Sequence, residues 1–193
     1  TPTRFRQMAR GREMAKKNKP GKQELKRTPS RRLKWAAAIG GAAVVIAVVA
    51  YFAYRAVADL PGTFVPSQGN AHVQLATDPH PPYNSDPPTS GPHLPYLAPW
   101  GIHTRPVQKE LQVHNLEDGG VMVQYNCECP ELVEKLAAVV KRYKDHVILA
   151  LYPGMKSKIA LTAWTRLDTF DEFDERRIVR FIEAHRGKDH HAR

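Results

Sequence analysis

The strongest pattern along the chain is an uncharged run of twenty residues, WAAAIGGAAVVIAVVAYFAY, at positions 35–54. At about 1.5 Å per residue, a helix of that length reaches roughly 30 Å, the thickness of a bilayer's hydrocarbon core. Aromatic residues stand at both ends, Trp35 and then Tyr51, Phe52 and Tyr54, as they do in interfacial belts. The pattern predicts one membrane-spanning helix. Beyond residue 110 shorter periods take over. Residues 111–116 read as a strand with Val113 and His114 on opposite faces, and Val121, Val123 and Tyr125 alternate with Met122 and Gln124 as a second, half-buried strand. Residues 130–143 set Leu132, Val133, Leu136, Val139, Val140 and Tyr143 on one helical face, with Pro130 suited to the first turn. The apolar run VILALY at 147–152 has strand length and ends in a Pro153-Gly154 turn, and residues 159–165 read as another strand. Residues 171–186 form a closing helix with Phe173, Ile178, Phe181, Ile182 and His185 inward and Gly187 as its stop. The expected order is strand, strand, helix, strand, strand, helix: one small α+β domain over residues 111–187, followed by a tail at 188–193.

The segment between these regions, residues 55–110, has no period. Eleven of the sixteen prolines fall within positions 61–106, which removes backbone donors and blocks helix. Tyr83, Tyr96 and Trp100 are anchors of a size that flexible linkers lack, so the segment is expected to be irregular but docked.

Charge is distributed unevenly. The formal net charge is +10, yet residues 55–193 hold sixteen basic and seventeen acidic side chains. The excess sits in residues 1–34, with thirteen Lys and Arg against Glu13 and Glu24. Under the positive-inside rule this predicts a cytoplasmic N-terminal arm and an extracytoplasmic or periplasmic domain, on a protein of the inner (cytoplasmic) membrane. A cleaved signal peptide fits less well, because the apolar run is long and its basic lead-in extended. The arm is expected to lean on anionic lipid at about 1 kcal/mol per basic residue. Nucleic acid is not an expected partner, since Phe5 is the arm's one stacking aromatic. Within the helix, Ala36, Gly40, Ala43, Ala47 and Ala50 fall on one face, where small side chains let a helix of another membrane subunit approach.

Four residues are candidates for a common site: His72, His93, His114 and Asp118. Imidazole and carboxylate suit a divalent transition metal, while the competing reading has these side chains capping turns in a donor-poor loop. Cys127 and Cys129 follow a strand and precede a helix start that would lower a thiol's pKa. The open readings for the pair are a structural disulfide, a metal ligand pair and a redox couple. Ser90 lies near Gly91 and His93 but in no nucleophile elbow, and His190 and His191 read as part of a solvated tail.

The stretches YNSDPPTSGPH (83–93), VHNLEDGG (113–120) and LTAW (161–164) carry a family resemblance. The chain resembles the bacterial membrane-anchored proteins grouped as domain of unknown function 3105, over residues 62–186 and in the layout before them. That resemblance implies a basic N-terminus, one membrane helix and an extracytoplasmic domain, and no particular activity. Asp118 stands where the family's pattern has a second histidine, LEDG for LEHG, which turns the donor set away from soft copper. Two functional readings follow. The first is a non-enzymatic accessory subunit docked on a larger membrane complex, with a respiratory or photosynthetic assembly as candidate host. The second is a membrane-tethered metal or redox protein built on the histidines.

Overall fold

The computed structural model describes residues 31–58 and 60–191. The arm at residues 1–30, and with it the expected lipid contact, lies outside the described residues. The chain divides between residues 51 and 52 into two compact units. Helix α1 (Arg31–Ala58) is 28 residues long. Its Ala38–Arg55 stretch has a mean hydropathy of 1.8 and none of it is buried, so it is long and apolar enough to cross a membrane. Ala36, Gly40, Ala43, Ala47 and Ala50 are all exposed on it.

The second unit is built from β1 (Thr63–Phe64), β2 (Gly101–Ile102), α2 (Lys109–Glu117), β3 (Val121–Tyr125), α3 (Pro130–Val140), β4 (Val147–Leu151), β5 (Ile159–Ala163), β6 (Arg166–Phe170) and α4 (Glu175–His185). The strands form one sheet in the order β1-β6-β5-β3-β4-β2. β3 pairs parallel with β4, and β4 with β2, while β3, β5, β6 and β1 pair antiparallel. A parallel β3–β4 pair needs a crossover between its strands, and α3 supplies it. Period-two alternation sorts the side chains. Val121, Val123, Val147, Leu149, Ile159 and Leu161 pack under α3 and α4 with Leu136, Ile178, Phe181 and Ile182. Met122, Ile148 and Ala150 point the other way, against Leu116 of α2 and Ala98 and Val107 of the Pro-rich segment. Both faces are therefore covered, which is why β3, β4 and β5 read as apolar runs more than as clean alternations.

The mixed α+β class holds, but besides the two short strands β1 and β2 within the segment expected to be irregular, two elements differ from the sequence expectation. Residues 111–116 are not a strand; they lie within α2. That helix has six consecutive buried residues, from Gln112 to Glu117, so it presents no polar stripe from which a helical period is read. Its buried amides are satisfied internally. Gln112 Nε2 donates to the Val107 carbonyl at 2.6 Å, and Asn115 exchanges two hydrogen bonds of 2.9 Å with the Ala98 backbone. The helix stops through a Schellman arrangement, with Gly120 N donating to Asn115 O at 2.7 Å and Gly119 N to Leu116 O at 3.1 Å. The other difference is β6. Residues 159–165 do not continue as one strand, because the chain reverses at Trp164 and Thr165, where Thr165 has φ 57°, and returns as β6. None of its residues is buried and Thr169 is exposed, so it lacks an apolar face in the sequence.

Candidate metal centre

The site forms where the Pro-rich segment meets α2. Residues 69–73 run beside 91–93, with Gly91 N donating to Gly69 O at 3.0 Å, His93 N to Ala71 O at 3.0 Å and Val73 N to His93 O at 2.8 Å. This bridge sets His72 against His93, ring centroids 4.9 Å apart. The surrounding PPTSGPH stretch is buried throughout, from Pro87 to Leu94. The Tyr83 hydroxyl holds it by donating to Pro92 O at 2.6 Å, and Ser90 Oγ accepts from Gln68 N at 3.0 Å. Ser90 is thus committed to the backbone.

Helix α2 delivers the remaining donors. A helix puts residues i, i+3 and i+4 on one face, which here means His114, Glu117 and Asp118. The His114 ring lies 5.1 Å from that of His93 and 5.5 Å from that of His72. One donor atom from each of His72, His93, His114 and Glu117 lies within 4.8 Å of all the others. Three of the four are buried, and His72 alone of them faces solvent. Ligand atoms about a tetrahedral zinc stand about 3.3–3.4 Å apart, so donors spread over as much as 4.8 Å need to draw in by up to about 1.4 Å to share one ion.

Hydrogen bonding prepares these atoms as ligands. His93 Nδ1 donates to Gly91 O at 2.7 Å, and Nε2 meets Glu117 Oε2 at 2.9 Å. A second ring nitrogen tied to a carbonyl is the usual support of a metal-binding histidine. Glu117 Oε1 accepts from Asn70 Nδ2 at 2.7 Å. Among the described residues His114 Nδ1 is buried with no hydrogen-bond partner, 4.0 Å from Glu117 Oε2. Burial pushes the His114 imidazole below its ordinary pKa; nearby His93 and His72 add to this, while Asp118 and Glu117 oppose it. The ring is therefore neutral at pH 7, with a lone pair available.

Asp118, the fourth residue expected from the sequence, stands outside the four-atom set, its Oδ2 3.9 Å from His114 Nε2. Glu117 takes its place. The strand expected over residues 111–116 stopped short of Glu117 and gave no reason to group it with His114; in a helix the H-x-x-E spacing places both on one face. The tail is solvent-exposed at 188–191, as expected, and is also tied back to α2. His190 N donates to Glu117 O at 2.8 Å and Gly187 N to Gly119 O at 2.7 Å, and the His190 ring stacks on Trp164 at 5.9 Å. His191 Nε2 lies 3.3 Å from Glu117 Oε2. Its hydrogen bond to Asp189 holds the His191 pKa above the ordinary value, whereas burial pushes His190 down.

Cys127 and Cys129 take no part in this cluster. They are joined as a disulfide at the far end of β3, beside a cavity of about 420 Å³ lined by Pro130, Lys135, Lys158 and Phe173.

Comparison with curated proteins and with solved structures finds no match. A family profile does match, described as a protein of unknown function (DUF3105), and it spans residues 74–193. That stretch includes His93, His114, Glu117, Asp118 and both cysteines, and leaves His72 just before it. Over most of its folded domain, the chain belongs to the DUF3105 family.

Proposed function

We propose that this protein binds a divalent transition metal in an extracytoplasmic domain tethered to the membrane by α1. One observation carries the reading: three imidazoles and a fully buried carboxylate converge, and the buried His114 Nδ1 among them has no hydrogen-bond partner among the described residues. Leaving such a nitrogen unsatisfied costs about 1–3 kcal/mol, and a bound ion would remove that cost. Three nitrogen donors with one oxygen suit zinc, iron or nickel better than copper(I), which favours thiolate and thioether ligands. Of the two readings the sequence left open, the geometry supports the metal protein. The small-residue face of α1 remains compatible with a neighbouring membrane subunit.

The location rests on separate arguments. The basic stretch before α1 supports a cytoplasmic N-terminus, and the Cys127–Cys129 disulfide supports an oxidising compartment for the domain. The test is elemental analysis of protein purified in detergent. Near-stoichiometric metal is expected in the parent protein, with most of it lost in Glu117→Gln and in His93→Ala. Because Glu117→Gln preserves shape and an acceptor for Asn70, it separates ligand loss from misfolding. A parent protein that takes up no metal, even after exposure to zinc, iron or nickel salts, overturns the reading.

A further inference from the structure

We infer that His191 is an additional ligand of this metal, carried to the site by the segment 187–191 as a closing strap. The inference rests on the metal-site reading above and extends it. Its first support is the path of the strap. Gly187 and His190 donate backbone hydrogen bonds to Gly119 O and Glu117 O, so the segment caps the C-terminal end of α2, where helix carbonyls otherwise lack partners. A side chain on Gly119 would meet the Lys188 backbone at 2.5 Å. The glycine therefore opens the track along which the strap lies. His190 stacks on Trp164, whose other neighbour is the His93 ring, edge-on at 6.5 Å.

The second support is the orientation of the imidazole. His191 Nδ1 lies 2.7 Å from Asp189 Oδ1 and 3.4 Å from Asp118 Oδ1. A carboxylate only accepts, so Nδ1 carries the proton. Nε2 lies 3.3 Å from Glu117 Oε2, an ion-pair distance at which a bound cation would take the place of the Nε2 proton. Adjacent ligand atoms about one ion at bond lengths of 2.0–2.1 Å stand about 2.9–3.5 Å from one another, and this separation falls in that range. Carboxylate, histidine and metal in series is a recurrent way of fixing a ligating imidazole, and here Asp189 and Asp118 supply the carboxylates. With His191 the donor set becomes four imidazoles and Glu117.

Cobalt(II) is the probe, because its visible absorption is strong in four-coordinate sites and weak in five- or six-coordinate ones. The full chain in detergent is titrated as the parent, as His191→Ala and as His190→Ala, with chelator competition for affinity. The expected result is one cobalt per chain with weak absorption. His191→Ala is expected to bind about tenfold or more weakly and to gain absorption intensity. His190→Ala, which loses only the stack on Trp164, keeps the weak spectrum. An unchanged spectrum and affinity in His191→Ala overturns the inference while leaving the metal site standing. Two cobalt ions per chain, one of them lost with His191, also overturns it, in favour of a separate site at Asp118, Asp189 and His191. No cobalt in the parent removes the metal-site reading and the strap together.

Discussion

Asp86 ties three parts of the domain together. It lies in the Pro-rich segment, receives a hydrogen bond from the Tyr152 hydroxyl just after β4, and pairs with Lys109 Nζ at the start of α2 at 3.0 Å. Burial alone would raise its pKa, but the hydrogen bonds from Tyr152 and Lys109 outweigh that and hold the carboxyl below its ordinary value. A carboxyl whose folded pKa is depressed contributes all its stability above the unfolded value of about 3.9, and that contribution fades as pH falls through the folded value. Asp86→Asn is expected to cost about 1 kcal/mol at pH 7, a figure reduced for the group's solvent exposure. The difference from the parent should shrink below about pH 4, and chemical denaturation at pH 7 and pH 3 measures both. The histidines of the site were visible in the sequence because imidazole is rare and chemically distinctive. Glu117 was not, because a glutamate in a charged sequence announces nothing until its burial is known.

At the level of elements, what the sequence conveyed depended on whether a segment has one buried face or two. Helices α3 and α4 pack a single face on the sheet, so their apolar stripes were legible to within a few residues. Asp174 marks the start of α4 by accepting from Arg177 N at 3.0 Å. Helix α2 is enclosed on all sides and β6 is half-covered, and neither leaves a period. The stop of α2 was nevertheless written in the sequence as Asp118-Gly119-Gly120. A Cβ on Gly120 would lie 2.4 Å from Asn115 O and 2.8 Å from the Trp100 ring, so the turn tolerates no side chain. Gly120→Ala is expected to destabilise the domain by about 2 kcal/mol or more, read from the denaturant midpoint. The same variant should also weaken metal binding, since it displaces the end of α2 that holds Glu117.

For the whole molecule, both cysteines of the chain are accounted for by one short disulfide. Thiol titration of unreduced, unfolded protein should find no free thiol, and two after reduction. Cross-linking so short a loop restricts the unfolded chain little, by about 1–2 kcal/mol, so the reduced domain is expected to remain folded with a modestly lower melting temperature. Detection of two thiols in freshly purified protein would count against the extracytoplasmic placement. The arrangement of the sheet has a wider consequence. Its outermost strands, β1 and β2, are two residues long, and both come from the Pro-rich segment. That segment therefore covers part of each outer edge, β1 along Arg166 and Leu167 of β6 and β2 along Ile148 and Leu149 of β4. On the membrane tethering proposed above, copies of the domain crowd at one surface, and a segment whose prolines cannot donate to a strand ladder lies along both edges of the sheet.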